Sequence, residues 1–301
     1  MKNYLCIDIG GTSVKYGIAD VCGAGLRLND CKEMPTDAKQ IGGAGIVERI
    51  LNKTEEYREK HILDGVAVST AGMVDPQSGE ILYANENIPG YTGCNLKKAV
   101  EERFCLPCAV ENDVNCAALG ESIYGAGRGA SSVLCMTVGT GIGGAVILNK
   151  KVWRGHTGSA GEVGYMPVEG EPFECLGSAS ALVRRAAERT GEQMDGKQIF
   201  SRAKEGDRAC ADAIDEMCRI LAQGIVCGIC LLNPEKVILG GGIMAQKEYL
   251  RPVLDPYLRK YATPYLLKTC EVTFAELGNQ AGMAGAYYWW ETSCSRVSGI
   301  S

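Results

Sequence analysis

The sequence contains no apolar run that approaches the roughly 18 residues needed to cross a membrane. It also lacks an N-terminal export signal, because polar and glycine residues interrupt the first apolar segment soon after Ile7. These two absences predict a cytoplasmic protein with no membrane partner.

Clusters of positive charge are missing as well. The chain has 31 Lys and Arg against 36 Asp and Glu, a formal net charge of −5, and no basic run stands out. Proteins that bind a nucleic-acid backbone concentrate positive charge on one surface. The composition therefore argues against a nucleic-acid partner.

Cysteine, in contrast, is abundant. The 15 cysteines are scattered through apolar segments and are not spaced as a disulfide scaffold, so we interpret them as reduced core residues. Two C-x-x-C pairs occur, Cys105 with Cys108 and Cys227 with Cys230. The first leads into a predicted strand and the second lies in an apolar helical run, so core packing is the preferred interpretation of both pairs. Zinc or redox chemistry is the alternative.

The most informative stretch is Asp8-Ile9-Gly10-Gly11-Thr12-Ser13-Val14-Lys15. Apolar segments of strand length flank it, which predicts a tight hairpin. The adjacent glycines allow the backbone to approach a bulky anion, and Thr12, Ser13 and the turn N–H groups can donate to phosphate oxygens. Asp8, at the mouth of the turn, suits Mg²⁺ or its water shell. A simple solvent-exposed hairpin is the alternative.

The same pattern recurs in residues 134–147, and residues 5–10 align without gaps on residues 134–139. A third glycine cluster, residues 240–242, follows another strand-like segment. This repetition resembles the actin, hexokinase and Hsp70 ATPase fold, a two-lobed ribonuclease H-like architecture. The resemblance implies duplicated α/β domains around one nucleotide cleft.

The chain is long enough for two domains, since it has 301 residues of which 46% are apolar. Strands and helices alternate in both halves, which predicts the α/β class. We predict an N-terminal domain of residues 1–112 plus 282–301, and a C-terminal domain of residues 113–281 that carries nucleotide and sugar loops. Residues 150–174 are glycine-rich and polar, which is typical of a loop that lines a site.

Phosphoryl transfer to an alcohol requires cradled phosphates, a base near the hydroxyl and fixed partners for the acceptor. The best candidate for the base is Asp113, in the run Glu111-Asn112-Asp113-Val114-Asn115 where a predicted strand ends and a helix begins. The alternative is that Asn112 or Asp113 merely caps the helix. Capping explains one polar residue but not four in five.

Four motifs resemble the ROK family of sugar kinases and related repressors, and the similarity extends from Cys6 to about Gly285. It implies ATP-dependent, Mg²⁺-assisted phosphorylation of a hexose-type sugar at its C6 hydroxymethyl group by a homodimer. Glucose, N-acetylmannosamine and a β-glucoside are all compatible with it. The motifs are Asp-Ile-Gly-Gly-Thr at 8–12, Asn-Asp-x-Asn-x-Ala-Ala-x-Gly-Glu at 112–121, Gly-Thr-Gly-Ile-Gly-Gly at 139–144 and Ala-Gly-Glu-Val-Gly at 160–164.

The resemblance also implies roles for individual residues, and Asp113 matches the catalytic base. The positions that match sugar-binding residues are Gly72, Asn87, Asn112, Asp113, Glu162, Tyr165 and Glu174. The positions that match nucleotide-binding residues are Asp8, Gly10, Gly11, Thr12, Lys15, Thr137, Gly139, Thr140, Gly141, Gly241 and Gly242.

Two features depart from the family pattern. Tyr165 replaces the histidine that closes the A-G-E-x-G-H motif, and the zinc-binding C-x-C-G-x-x-G-C run is absent. The matching loop retains only Cys175, which cannot form a four-ligand zinc site. We therefore predict no bound metal there and a resemblance to the zinc-less branch. A wall formed by Tyr165 and a metal-free loop could leave room for a substituent, so we hypothesise that plain glucose is not the best substrate.

Two other classes of protein remain as alternatives. One is a sugar-responsive transcriptional regulator of the same family, but those regulators carry a winged-helix region before the first hairpin, and Asp8 leaves no room for one. The other is an actin-like or chaperone-like ATPase, against which the matches at Asn87, Asn112 and Glu162 argue.

Overall fold

The computed structural model describes residues 2–22 and 25–294. They divide into two compact units, one formed by residues up to Tyr124 with those from Asn279 onward, and the other by Gly125–Gly278. Both units mix a β-sheet with helices, and the predicted α/β class is confirmed. Each unit is described separately below.

The elements are numbered in chain order. The strands are β1 (Lys2–Ile9), β2 (Ser13–Cys22), β3 (Gly25–Pro35), β4 (Gly65–Thr70), β5 (Met73–Val74), β6 (Ile81–Tyr83), β7 (Cys108–Asn112), β8 (Ser132–Val138), β9 (Ile142–Leu148), β10 (Lys151–Trp153), β11 (Pro167–Val168), β12 (Glu171–Pro172), β13 (Lys236–Gly240) and β14 (Glu271–Phe274). The helices are α1 (Ala38–Lys60), α2 (Leu96–Phe104), α3 (Asp113–Tyr124), α4 (Phe173–Gly177), α5 (Ala179–Thr190), α6 (Gly196–Lys204), α7 (Arg208–Leu232), α8 (Lys247–Tyr261), α9 (Pro264–Thr269) and α10 (Ala281–Cys294).

The main sheet of the first unit has the strand order β3-β2-β1-β4-β7. β1 is antiparallel to β2 and parallel to β4, and β4 is parallel to β7. Every residue of β4 is buried, as expected for a central strand covered on both faces. The register places Asp8, Ser69 and Glu111 in one row across the three parallel strands. Polar side chains therefore gather near the carboxyl ends of the buried strands.

The main sheet of the second unit repeats this topology, with the order β10-β9-β8-β13-β14. β8 is antiparallel to β9 and parallel to β13, which is parallel to β14. The central strand β8 thus occupies the same place as β1 in the first sheet. The internal repeat inferred from the two glycine-rich stretches corresponds to two sheets of identical connectivity.

In the first unit, α10 packs on α3 with the two backbones in direct contact. A Cβ at Gly285 would overlap the carbonyl of Cys116, and a Cβ at Gly120 would overlap that of Ala281. The indole of Trp290 also donates to the carbonyl of Pro107 at 3.0 Å. These contacts group residues 113–124 with the first unit, whereas our predicted boundary followed residue 112. Residues 295–301 of the predicted domain lie outside the described residues.

The second unit is built around α7, a 25-residue helix whose buried face covers the sheet. Gly228 of α7 lies against Leu134 of β8, and Gly224 lies against the ring of Phe173. Residues 150–174, predicted as loop, contain β10, β11, β12 and the start of α4. Elements this short show too little periodicity to be read from sequence. No helix in the described part of the chain is long and apolar enough to span a bilayer.

Candidate active site

The first glycine turn, residues 10–12, joins β1 to β2 and confirms the predicted hairpin. The N–H of Gly10 donates to the carbonyl of Ser13 at 3.0 Å. Thr36 braces the turn from outside, since its Oγ1 donates to the carbonyl of Gly10 at 2.7 Å and its N–H donates to that of Thr12 at 3.0 Å. Gly11 and Thr12 are exposed at the tip. The turn is therefore held from one side and open to ligands on the other.

Asp8 lies at the carboxyl end of β1, beside this turn. Ser69 Oγ donates to its Oδ1 at 2.6 Å, and Lys15 Nζ lies 4.0 Å from its Oδ2. Only 15% of the Asp8 side chain is exposed. Burial raises the pKa of the Asp8 carboxyl, while the bond from Ser69 and the charge of Lys15 oppose that rise.

Asn112 and Asp113 lie where β7 ends and α3 begins. Asn112 Oδ1 accepts hydrogen bonds from the N–H groups of Val114 at 2.9 Å and Asn115 at 3.1 Å, so it does cap the helix. Its Nδ2 donates to the carbonyl of Gly72 at 2.9 Å and to Asp113 Oδ1 at 3.0 Å. The Asn112 side chain thus has two roles, because its oxygen caps α3 and its nitrogen holds the carboxylate of Asp113 in place.

The Asp113 carboxyl has a pKa raised to about 6. The main cause is loss of water around the group, followed by the negative charge of Asp8, and hydrogen bonds from Val114 and Asn112 partly oppose the rise. Asp113 Oδ1 accepts from both of those residues. Its Oδ2 accepts no hydrogen bond from the residues that the structure describes. A fixed carboxylate with one oxygen unused and a pKa near neutrality meets the requirements of a general base.

Ser69 and Glu111 were missed as site residues in the sequence. Glu111 is fully buried, and its Oε1 accepts from the backbone N–H of Asn112 at 2.8 Å and from Asn115 Nδ2 at 2.9 Å. Both residues share the row that contains Asp8. Their sequence signal was a polar residue at the end of each predicted buried strand.

Gly72 and Asn87 have different relations to this cluster. Gly72 follows β4 with φ +99°, and a Cβ there would come within 2.9 Å of the carbonyl of Tyr83, so glycine is required at this position. Asn87 is exposed in the loop between β6 and α2, where its N–H donates to Asn85 Oδ1 at 3.1 Å. No hydrogen bond among the described residues links Asn87 to Asn112. The structure brings together Gly72, Asn112 and Asp113 and leaves Asn87 unconnected to them.

The second glycine turn, residues 139–141, joins β8 to β9 in the second unit. The carbonyl of Gly139 accepts from the N–H of Ala179, the first residue of α5, at 2.8 Å. Thr137 pairs in register with Gly143 on one side and with Gly240 on the other. Gly241 has φ +96° and lies directly against the backbone of Val138. The structure therefore gathers Thr137, the 139–141 turn and the third glycine cluster, which ends in Gly242.

A groove of about 710 Å³ opens beside this turn, within the second unit. Thr140 lies at the edge of the groove. Successive turns of α5 form one wall, to which they contribute Ala179, Val183 and Ala187. These residues are spaced four apart and present an apolar stripe. The groove is large enough for a flat apolar ring system beside the N–H groups of the turn.

Glu162, Tyr165 and Glu174 all belong to the second unit. Glu174 Oε2 accepts from the N–H of Ile142 at 3.3 Å, so the carboxylate reaches the second glycine turn. Burial, which removes water from the carboxylate, raises the pKa of Glu162, and the negative charge of Glu174 adds to this rise. Tyr165 ends a short 3₁₀ turn, Val163–Tyr165, and is 71% exposed. The contact between Glu174 and Ile142 was not foreseen, because 32 residues separate the two.

In the described residues, no group of three or more His, Cys, Asp or Glu side chains is arranged to hold a metal ion. The cysteines of both C-x-x-C pairs are free thiols. Cys108 is buried and Cys105, Cys227 and Cys230 are exposed. The interpretation of both pairs as core residues therefore holds for Cys108 and is wrong for the other three cysteines.

Comparison with known proteins gives consistent matches over nearly the whole chain. The model of the ROK family matches residues 4–293. An uncharacterized protein of Clostridium perfringens is 47% identical, over 96% of this chain and 97% of its own length. A glucokinase of Halalkalibacterium halodurans is 32% identical, over 94% of this chain and 93% of its own. A beta-glucoside kinase of Listeria monocytogenes is also 32% identical, over 93% and 95%.

Among solved structures, a ROK family glucokinase from Streptomyces griseus in complex with glucose and AMPPNP matches with a TM-score of 0.82. It is 30% identical, and the match covers 94% of this chain and 97% of that one.

Proposed function

The chain belongs to the ROK family and has the actin-like ATPase fold of its kinases, and from that premise we propose that it is an ATP-dependent sugar kinase. Its substrate is a hexose-type sugar or a derivative, and the phosphoryl group goes to the C6 hydroxymethyl. The observation that carries the proposal is the arrangement of Asp113. This carboxylate is fixed through Oδ1, has Oδ2 unused by the described residues and has a pKa of about 6.

Asp113 acts as the general base in this proposal. At neutral pH it is largely ionised, and Oδ2 accepts the proton of the sugar hydroxyl as the hydroxyl oxygen bonds to the γ-phosphorus. The bond from the γ-phosphorus to the bridging oxygen breaks at the same time, and ADP leaves with that oxygen. Asn112 holds the carboxylate in place, and its predicted role as a ligand of a sugar hydroxyl stays a prediction.

The glycine turns hold the nucleotide phosphates in this proposal. Backbone N–H groups and hydroxyls of small turns donate to phosphate oxygens without steric cost. Gly10, Gly11, Thr12 and Lys15 serve in the first unit, and Thr137, residues 139–141, Gly241 and Gly242 serve in the second. The apolar groove beside Thr140 takes the base of ATP.

Mg²⁺ is the metal that ATP chemistry requires. Asp8 fits it, because a carboxylate held by Ser69 and only partly screened by Lys15 is an oxygen ligand whose buried charge a cation would stabilise. Mg²⁺ often binds through one or two carboxylates together with phosphates and waters. When bound, the ion would offset the negative charge of the phosphates.

On the sugar side we propose Glu162, Tyr165 and Glu174 as ligands, with Gly72 and Asn87 in the first unit. The exposed ring of Tyr165 can lie against an apolar face of a sugar while its hydroxyl donates at the edge. Relatives named as glucokinase and as beta-glucoside kinase are equally similar to this chain at 32% identity. We propose that a substituted sugar is preferred over plain glucose.

A coupled assay of ADP release tests the proposal with free hexoses, N-acetylhexosamines and glycosides as acceptors. The expected result is ADP release that depends on the sugar and is stoichiometric with sugar phosphate. Sugar binding without ADP release would instead indicate a regulator of the same family. ATP hydrolysis that no sugar changes would indicate a sugar-independent ATPase.

A further inference from the structure

The proposed sugar ligands of the second unit lie on one short stretch, residues 162–177, which we name the acceptor segment. It contains the 3₁₀ turn that ends at Tyr165, the hairpin of β11 and β12, and α4 with Glu174. The N–H of Phe173 donates to the carbonyl of Met166 at 2.8 Å and closes the base of the hairpin. Tyr165 and Glu174 therefore flank the hairpin, one on each side, and depend on its position.

The loop of this hairpin has a residue that its backbone does not favour. Pro167 pairs with Pro172 and Val168 pairs with Glu171, which leaves Glu169 and Gly170 as a two-residue loop. Their φ angles are +53° and +88°. Such type I′ loops favour Asn-Gly or Gly-Gly, because residues other than Gly, Asn and Asp avoid the left-handed region. The backbone of the turn does not favour glutamate at position 169. The role of Glu169 must therefore come from the contacts that its side chain makes.

The Glu169 carboxylate is bound by two side chains of α7. Arg219 Nη1 and Gln223 Nε2 both donate to Oε1, the latter at 2.8 Å, and Arg219 Nη2 donates to Oε2 at 3.1 Å. Arg219 and Gln223 are four residues apart and share one helix face. The parallel pair of bonds from one guanidinium is the geometry in which an exposed ion pair is strongest. These contacts hold the pKa of Glu169 down at about 2, so the carboxylate is charged over the whole physiological range.

The carboxyl end of the acceptor segment is held by α5. Arg184 Nη2 donates to the carbonyl of Cys175 at 2.7 Å, and Arg185 Nη2 donates to that of Leu176 at 3.0 Å. Arg185 is itself 8% exposed and pairs with Glu216 of α7 at 3.1 Å. The carbonyls at the end of α4 thus receive the donors that a helix end lacks. The hairpin loop and the carboxyl end of the segment are thus both bound by arginine side chains of helices in the same unit.

We propose that Glu169, Arg219 and Gln223 form a clamp that positions Tyr165 and Glu174 for the sugar. The inference rests on the proposed kinase function and adds positioning residues to it. The carboxylate of Glu174 accepts one long hydrogen bond of 3.3 Å, from the N–H of Ile142 beside the glycine turn. Because a bond of this length is weak, the position of Glu174 is set mainly by the acceptor segment. The clamp supplies the fixed point, and no metal ion is needed for it.

The test uses a variant that removes the clamp and keeps the turn. Glu169→Asn places the preferred Asn-Gly pair in the type I′ loop, so the hairpin itself is not weakened. We expect the KM for sugar to rise about tenfold, with kcat and the KM for ATP unchanged. Amide hydrogen exchange in residues 163–177 should become about tenfold faster, with other regions unchanged. The matched control is Glu192→Asn, which breaks the 2.7 Å ion pair with Arg202 in the same unit and should change neither quantity.

A second variant, Arg219→Met, removes the partner of Glu169 on α7 and leaves Glu169 unchanged. It should reproduce the effects of Glu169→Asn, and the double variant should add little to either one, since both remove the same contact. A merely structural role would lower the thermal midpoint without separating the KM for sugar from kcat.

Two results would overturn the clamp. One is unchanged exchange in residues 163–177 of Glu169→Asn, and the other is faster exchange there with an unchanged KM for sugar. The wild-type assay separates the two proposals: absence of sugar-dependent ADP release overturns the kinase, whereas the exchange comparison reports on the clamp itself in either case.

Discussion

The Asp8 carboxylate lies directly against the backbone of Gly282, so that a Cβ at that glycine would come within 2.5 Å of it. Gly282 is in the first turn of α10, where backbone N–H groups favour a negative charge. The contact joins the carboxylate proposed to hold Mg²⁺ to a helix residue that is 274 positions later in the chain. Any side chain at position 282 must move the carboxylate or the helix.

Gly282→Ala should therefore impair catalysis through Asp8. Overpacking at such a contact costs about 1–3 kcal/mol of unfolding free energy, and displacement of Asp8 should lower turnover by about tenfold or more. Steady-state kinetics with varied Mg²⁺ and a urea unfolding curve measure the two effects. Gly196→Ala is the matched control, because nothing lies within 4 Å of its Cβ position. Full activity of Gly282→Ala would show that the position of Asp8 is not critical.

Removal of the proposed base should abolish most turnover. Asp113→Asn keeps the shape and the hydrogen bonds to Oδ1 but cannot accept a proton. We expect kcat to fall on the order of 10²-fold or more, with the Kd for sugar largely kept. Calorimetry of sugar binding and the coupled assay give the two values, with Asp20→Asn as a control carboxylate in the same unit. Turnover close to that of the wild type would contradict the assignment.

The same substitution should stabilise the protein, with a defined dependence on pH. The pKa of Asp113 is about 6 in the folded protein and about 3.9 in an unfolded chain, so ionisation favours unfolding. The gain from Asp113→Asn should be absent below about pH 4, grow up to about pH 6 and level off above, at about 1–3 kcal/mol. Urea unfolding at pH 4, 6 and 8 measures it. An equal effect at all three values would mean that the carboxyl has no raised pKa.

Tyr165 should influence which sugar is preferred. Tyr165→His shortens the side chain and removes the ring face proposed to contact the sugar. We expect the ranking of sugars by kcat/KM to change more than the KM for ATP. The panel of acceptors used for the wild type measures this, and Tyr83→His is a control with a similarly exposed ring. If the wild type prefers glucose over every substituted sugar and Tyr165→His keeps that ranking, the hypothesis of a substituted substrate is wrong.

Local patterns in the sequence were sufficient for much of the fold. The glycine hairpins, the strand-to-helix junction at Asp113 and the cap of α2 by Asn95, which accepts from Lys98 at 2.8 Å, follow from short-range chemistry. The family resemblance added the order of the site motifs. The roles of the individual site residues stay predictions, because geometry alone does not show a reaction.

The rest depended on contacts between distant parts of the chain. The row of Asp8, Ser69 and Glu111 follows from the register of parallel strands that are paired across about 60 and 40 intervening residues. The pairing of Glu169 with Arg219 spans 50 residues. α9 is six residues long with no buried residue, so it left no apolar periodicity to detect.

The two sheets have the same strand order, yet their equivalent turns differ in charge. Asp8 at the end of β1 aligns with Thr137 near the end of β8. A hydroxyl can donate to a phosphate oxygen directly, whereas a carboxylate repels phosphate unless a cation lies between them. The cross-strand partners differ as well, since Asp8 pairs with Lys15 and Thr137 pairs with Gly143, so the side chains do not share the symmetry of the backbone. In the proposed kinase, the turn beside Asp8 would need a cation to meet the phosphates, whereas the turn beside Thr137 would not.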